Sequence, residues 1–338
     1  MGEAMEKFDI IAIGDTTQDI FLEVSDASVQ CDLDGENCRI SFDYADKIAV
    51  DKKTDVPAVG NAANHAIGVA RLGLRAAIYT IVGDDEQGQR ARHVLAENNV
   101  DPRYVVFDKV HSTNLSVVIN YRGERTIFVY HEPRSYELPE LAATSWIYLT
   151  SASGKGVLRL HEQVFKYLEN NREVKMAFNP GTHQMQLGLE KLKPLLARTD
   201  VLFLNREESM DVLGVKTREV GALVAGFHKL GVKTMVLTDG PDGSYVSDGS
   251  KILWLKIFRG PVVERTGAGD AYGSGFLSAL IRGKTGEEAM LWGNGNSTSV
   301  LQYIGARQGL LDENIMGKMI RENSDIIVEK YDASENSH

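Results

Sequence analysis

The chain is short of anything that would staple it, anchor it or draw it to a polyanion. Only two cysteines, Cys31 and Cys38, occur in 338 residues, and they flank an acidic turn of Asp32, Asp34 and Glu36. With no second pair and no nearby histidine they make neither a zinc site nor a disulfide scaffold. Read alone, they are two free thiols of a reducing cytoplasm, a reading favoured over a disulfide between them. No run of about 18 apolar residues occurs, which excludes a transmembrane helix. Residues 1–7 lack the basic-then-apolar order of a secretory signal, so a cytoplasmic location is expected. Basic residues are also scarce: 37 Lys and Arg face 47 Asp and Glu, a net charge of −10, and no local cluster reverses it. Phosphate backbones and anionic headgroups bind through such clusters, so neither a nucleic-acid nor a membrane partner is expected. The 43% hydrophobic and 25% charged residues exclude wholesale disorder and collagen-like repeats. The length fits two domains, or one α/β domain with an appended module.

What is present is alternation. Short, continuously apolar segments at 8–13, 76–82, 145–150, 174–178, 201–204 and 233–237 read as strands covered on both faces. Between and after them, helical patterns run over 62–72, 86–98, 158–169, 189–196, 207–213, 217–230, 269–281, 287–303 and 311–323. This order predicts a doubly wound, mostly parallel α/β sheet flanked by helices. Two stretches break it. Segments 20–24 and 40–50, and segments 114–121 and 125–130 around Arg122-Gly123-Glu124, carry strand signals outside that order. They predict either a small β-sheet lid or two separate surface hairpins. The expected organisation is one domain over 1–323, with lid segments at about 16–58 and 104–135 and a polar tail over 324–338.

Ligands of open α/β sheets bind outside the carboxyl ends of the strands. Those ends carry Asp15, Gly83-Asp84, Asn179, Asn205 and Asp239-Gly240. The most informative segment is Thr266-Gly267-Ala268-Gly269-Asp270, where an apolar strand end meets a small-residue helix. Free N–H groups at a helix start, with glycines allowing close approach, form an anion site. A carboxylate there suits a base that takes a proton from the nucleophile attacking a phosphoryl group. The alternative is an acidic first-turn residue that favours the helix dipole. Two look-alikes fail. Gly267-Ala268-Gly269 lies too late in the chain for a dinucleotide fingerprint, and Gly283-Lys284-Thr285 lacks the first P-loop glycine and follows a helix end.

Further motifs accompany the loop: Gly60-Asn61-Ala62-Ala63-Asn64, Gly83-Asp84-Asp85, Asn205-Arg206-Glu207-Glu208 and Thr238-Asp239-Gly240-Pro241-Asp242-Gly243. In this order the set resembles the ribokinase-like (PfkB-type) carbohydrate kinases, from about residue 8 to 320. The resemblance implies a Rossmann-like core with a β-sheet lid that often mediates dimerisation, and transfer of the γ-phosphoryl group of ATP, with Mg²⁺, to a sugar or nucleoside hydroxyl. It implies Asp270 as base, with the amides of Gly267, Ala268 and Gly269 as anion hole. Asn205 and Glu208 would organise Mg²⁺ and the phosphates, Glu208 through water. Thr238, Gly240 and Gly243 match the nucleotide-side turn, and Asn296 the helix bordering the adenine. Asp15, Gly60 and Asn64 match positions that contact the substrate hydroxyls.

The chain departs from the family at Glu264-Arg265, where Asp-Thr is common and often helps hold a monovalent cation. The need for such an ion is left open, and Arg265 is a candidate to supply its charge. Val59 stands where the first of two glycines is usual, which would narrow the substrate end. Asn114, Tyr130, Asn179 and His183 are candidate substrate readers, or ordinary turn and surface residues. Phe42, Tyr44 and Phe128 would either stack a base or pack the lid. A sugar acceptor is favoured over a nucleoside. An NAD-type oxidoreductase lacks the early fingerprint, and a non-catalytic sugar or nucleotide sensor would not need Asp270.

Overall fold

A computed structural model describes residues 7–32 and 38–332. The first half runs β1 (Phe8–Ile13), β2 (Thr17–Glu23), β3 (Ser28–Cys31), β4 (Cys38–Ser41), β5 (Lys52–Val59), α1 (Asn61–Arg71), β6 (Ala76–Gly83), α2 (Glu86–Glu97), β7 (Val100–Asp108), β8 (Asn114–Tyr121), β9 (Glu124–Tyr130), β10 (Thr144–Leu149) and α3 (Val157–Asn170). The second half runs β11 (Lys175–Phe178), α4 (Thr182–Met185), α5 (Leu189–Arg198), β12 (Val201–Asn205), α6 (Arg206–Leu213), α7 (Val220–Lys229), β13 (Thr234–Thr238), β14 (Ser244–Ser247), β15 (Ile252–Leu255), α8 (Ala268–Ile281), α9 (Gly286–Val300), α10 (Glu313–Glu322) and β16 (Glu329–Lys330).

Ten strands form the main sheet in the order β16-β15-β14-β13-β12-β11-β10-β1-β6-β7. From β13 to β7 neighbours are parallel, and from β13 to β16 they are antiparallel. The pleat sends alternate residues into two cores. Ile10 and Ala12 pack with α1, α8 and α9, whereas Ile11 and Ile13 pack with α3, α5 and α7. Burial on both faces is why these strands read as unbroken apolar runs. The chain leaves β1 toward β6 and later returns to its other side as β10. The strand order therefore reverses at β1–β10, and a crevice opens at such a point. Asp15 follows β1 there.

The lid is a single four-stranded sheet, β5-β2-β8-β9, rather than two separate hairpins. Its β8–β9 turn is Arg122-Gly123, two residues with φ of 51° and 85°, closed by the Tyr121–Glu124 pair. Positive φ at both positions matches the twist of the flanking strands. The expected boundaries need correction. Residues 104–108 belong to β7 at the edge of the main sheet, and of the segment 40–50 only residues 40–41 are strand, in β4. Residues 329–330 of the expected tail pair with β15, and Tyr331 packs on Tyr245 at 5.0 Å; residues 333–338 lie outside the described residues.

The reading of two free thiols is also overturned. Cys31 and Cys38 stand directly opposite in the β3–β4 register, with Cα atoms 4.0 Å apart, and are joined as a disulfide. Sequence separation alone could not reveal this cross-strand pairing. Phe42, Tyr44 and Phe128 are exposed, so they do not pack the lid, whose small core is Val24, Ile119 and Tyr121.

Helix α8 begins within the Gly-Ala-Gly-Asp segment and packs against both α1 and α9. A Cβ added at Gly275 would stand 2.4 Å from the Trp292 carbonyl oxygen, and one at Gly68 would stand 2.4 Å from Ser274 Oγ. Small residues thus let three helices approach closely and fix where α8 begins. Gly275→Ala should destabilise the fold by about 1–3 kcal/mol through overpacking, read as a lower denaturant midpoint. An unchanged midpoint would contradict this close packing.

Candidate functional site

The N-terminus of α8 is built to receive an anion. Gly267 is its N-cap with φ 79°, and no side chain caps the helix. A Cβ on Gly267 would lie 2.2 Å from Ala306 Cβ, so only glycine lets the loop settle on the segment after α9. A Cβ on Gly269 would meet nothing within 4 Å, which leaves that side open to a ligand. The first N–H groups of a helix have no internal partner, and the helix dipole favours negative charge beside them.

Asp270 is half-buried in the first turn. Its Oδ2 accepts a 2.8 Å hydrogen bond from Nδ2 of Asn64 in α1, the helix packed beside α8 on the same face of the sheet. Burial pushes the Asp270 carboxyl up to about 6; the Asn64 bond opposes the shift and the Glu208 carboxylate adds to it. Asn64 itself is 4% exposed, and its Oδ1 is buried without a hydrogen-bond partner. An orphaned buried acceptor is costly unless something supplies a donor. The adjacent His65 is fully buried, stacks on Tyr148 at 3.5 Å, and is pushed down to about 3 by burial. It is a neutral core residue.

Asn205 and Glu208 are held by each other. Asn205 Oδ1 accepts from the Glu208 N–H, and Glu208 Oε2 accepts from the Asn205 N–H, both at 2.8 Å. This capping box starts α6 and accounts locally for the Asn-x-x-Glu spacing. It also aims the second carboxylate oxygen of Glu208, whose pKa burial raises.

Asp15 is buried at the switch point. Its Oδ1 accepts from the Tyr136 hydroxyl at 2.5 Å and its Oδ2 from Ser153 Oγ at 2.6 Å. Burial raises its pKa while these two bonds, His131 and Arg134 oppose the shift. A Cβ on Gly60 would lie 2.9 Å from the Asp15 carbonyl oxygen, so the start of α1 sits against this turn. The start of α1 thus abuts the Asp15 turn through Gly60 and reaches Asp270 through Asn64. Val59 is buried and pairs with Thr17 across β2 and β5.

The remaining candidate readers divide. His183 meets His131 edge to face at 5.6 Å, joining α4 to the end of the lid hairpin. Asn179 is committed to the Phe203 carbonyl at 3.1 Å and to Asn61 at 3.4 Å. Asn114 and Tyr130 both serve Glu132: Asn114 Oδ1 accepts from its N–H, and the Tyr130 hydroxyl donates to its carboxylate. Tyr136, Ser153 and His131 were missed, because they sit in connections without periodicity or motif.

On the other side of the α8 start, a cavity of about 330 Å³ is lined by Thr238, Gly240, Gly243, Leu255, Tyr272 and Leu301 among others. Ala268 and Gly269 form its edge, so it opens onto the anion site. Asn296 is corrected. It is fully buried and faces α8, donating to the Ala271 carbonyl and to Ser274 Oγ and accepting from the Leu311 N–H. Its neighbours Asn294, Ser297 and Thr298 line the cavity instead. Arg265 also lines the cavity. The cation that pairs with Glu264, however, is Arg125 of β9.

An uncapped helix start, a carboxylate beside it and a cavity opening onto both invite comparison with known kinases. The pfkB family carbohydrate kinase pattern matches residues 25–313. The chain belongs to the pfkB family of carbohydrate kinases. This pfkB protein is 29% identical over 331 residues to the ATP-dependent 6-phosphofructokinase of Thermoanaerobacterium thermosaccharolyticum, covering 93% of this chain and 94% of that one. It is 24% identical over 256 residues to the nucleoside kinase of Methanocaldococcus jannaschii, covering 74% and 81%. The structure of Arabidopsis thaliana ribokinase complexed with ribose and ATP matches with a TM-score of 0.76 at 22% identity, covering 94% and 99%. The pfkB fold expected from the motifs is therefore the observed one. No helix among the described residues is long and apolar enough to cross a membrane.

Carboxyl-resolved NMR should find Asp270 titrating near 6. Glu208→Gln removes a like charge and should lower that midpoint. A wild-type midpoint at the unperturbed 3.8 would contradict the described environment.

Proposed function

We propose that this pfkB kinase transfers the γ-phosphoryl group of ATP to a hydroxyl of a sugar or sugar-like acceptor, with Asp270 as the base. The observation that carries the reading is the Asn64–Asp270 pair: a carboxylate raised toward neutrality beside a buried acceptor that awaits a hydroxyl donor. Asp15, Gly60 and Asn64 bind and orient the acceptor. Tyr136 and Ser153 hold the Asp15 carboxylate, so its remaining lone pairs meet the substrate in one geometry. Asp270 takes the proton of the attacking hydroxyl. The N–H groups of Gly267, Ala268 and Gly269 face the transferred phosphoryl oxygens and stabilise charge there without reorganising. Thr238, Gly240 and Gly243 border the nucleotide. The lid excludes water, which would otherwise compete as acceptor.

The residues present fit Mg²⁺. Among the described residues no group of three or more His, Cys, Asp or Glu forms a metal cage, whereas Glu208 has one carboxylate oxygen outside its capping box. Mg²⁺ keeps several waters and takes one or two carboxylates together with substrate phosphates, so Glu208 through water, positioned by Asn205, suffices. When bound, the ion neutralises charge on the phosphates. A cytoplasmic location accords with ATP as donor.

A sugar is favoured over a nucleoside because Phe42, Tyr44 and Phe128 are exposed rather than gathered at the acceptor end. Strand β9 is exposed along its whole length and carries Ile127, Phe128, Val129 and Tyr130 in succession. An edge strand of this kind pairs readily, and a second copy of the chain is the proposed cover.

Substrate-dependent ADP release from Mg·ATP, screened over free sugars, sugar phosphates and nucleosides, tests the reading. Asp270→Asn should lower turnover by about 10²–10⁴-fold while acceptor binding persists. Near-full activity in that variant would remove Asp270 as base. Sedimentation should find a dimer that Phe128→Lys dissociates; a monomeric wild type at micromolar concentration would refute the lid interface.

A further inference from the structure

We propose that Arg125 is a positioning residue for phosphoryl transfer, its ion pair with Glu264 tying the lid hairpin to the loop that forms the anion site. The proposal rests on the kinase reading for its catalytic consequence, and on geometry alone for the tie itself.

Glu264 is 9% exposed, and a buried carboxylate needs partners on both oxygens. Its Oε1 accepts from the Arg125 guanidinium, from the Thr266 N–H at 2.7 Å and from Thr266 Oγ1 at 2.5 Å. Its Oε2 accepts from the Gly305 N–H at 3.4 Å. Thr266 immediately precedes Gly267, and Gly305 immediately precedes Ala306, on which Gly267 rests. One carboxylate therefore pins the two segments that form the floor of the anion site. Arg125 comes from β9, 139 residues earlier in sequence, so the same carboxylate is also pinned to the lid.

A second contact runs alongside. A Cβ at Gly305 would lie 3.7 Å from Val56 of β5, so the lid base rests on the same segment. Asp19 of β2 completes the group: it interacts electrostatically with Glu264, Arg307 and Arg125, and its carboxyl is raised to about 6, chiefly by burial. Lid and core thus each contribute one acid and one arginine. If the lid moves away, Arg125 leaves, and Glu264 keeps only neutral donors next to a site that must accept phosphate. With the lid in place that charge is neutralised. Enclosure of the acceptor and readiness of the anion site are then one event.

Arg125→Met should lower kcat by roughly 10–100-fold, because small displacements of a positioning element cost that much. KM for ATP and for the acceptor should stay within about threefold, as expected when transition-state rather than uniform binding is lost. The contact is made through one guanidinium nitrogen, so Arg125→Lys should retain most of the turnover. Adding Glu264→Gln to Arg125→Met removes the uncompensated charge and should recover kcat by roughly fivefold, a coupling that independent sites do not show. Hydrogen exchange of the ligand-free protein should show faster exchange at the Thr266 and Gly305 amides in Arg125→Met, with the β12 and β13 amides unchanged. Wild-type exchange at both amides would overturn the tie. Wild-type kcat in Arg125→Met, or no recovery in the double variant, would overturn its catalytic consequence. Absence of turnover by the wild-type enzyme on every acceptor would instead refute the kinase reading, and exchange would still decide the tie. If Arg125→Met does not fold, Arg125→Gln with the same two readouts replaces it.

Discussion

The hydrogen bond from Asn64 to Asp270 is the point on which the rest of the architecture converges. Asn64 is on the first turn of α1 and Asp270 on the first turn of α8, 206 residues apart. Their meeting requires both helices to begin at the same edge of the sheet and to pack without intervening side chains. The glycines at 68 and 275 supply the second condition, because a methyl group at either would collide with the neighbouring helix. The reversal of strand order at β1–β10 supplies the first, since it opens the crevice into which both helix starts project. Helix packing thus places the two ends of one hydrogen bond, and that bond orients the carboxylate.

The electrostatics of the cleft carry an apparent contradiction. Asp270, Glu208 and Glu264 all stand around a helix start suited to an anion. Each carboxylate is managed differently. Asp270 is raised toward neutrality by burial, which keeps its proton affinity in the range useful to a base. Glu208 is tied by one oxygen to its own helix cap. Glu264 is neutralised by an arginine delivered from the lid. The positive end of α8 remains available to an anion because its acidic neighbours are separately occupied, and the charge of the last of them is answered from the lid.

Where local chemistry decides structure, the sequence was legible. The parallel strands could be read because burial on both faces leaves no polar alternation, and the start of α8 because Gly-Ala-Gly-Asp has a specific physical use. The Asn-x-x-Glu motif shows the limit of such reading. It marks a helix start for capping reasons, so the spacing alone cannot separate a cap from a phosphate or metal site. Asn296 failed for a related reason: helical spacing says that it lies on α9, but only the rotation of α9 against α8 decides which face looks into the cavity. Arg125, Tyr136 and Ser153 left no local trace, since each acquires its meaning from a partner more than 100 residues away. The Cys31–Cys38 pairing likewise depends on strand register, which a short exposed hairpin does not announce.

Arg265 and Arg125 make the same point about charge. Arg265 is the immediate sequence neighbour of Glu264 and yet is not its ion-pair partner, which is Arg125. The backbone directs adjacent side chains apart, and Arg265 lines the cavity while the Glu264 carboxylate turns toward the lid. A buried acid must be answered from the direction it faces, and the element packed in that direction is β9. Compensation across elements has a consequence that compensation within one loop would not have. The stability of Glu264 in its buried position becomes linked to the position of the lid, so a change in one is felt as a change in the other. The same carboxylate holds the Thr266 N–H, one residue before the anion site. Lid placement and anion-site geometry therefore share one energetic coordinate.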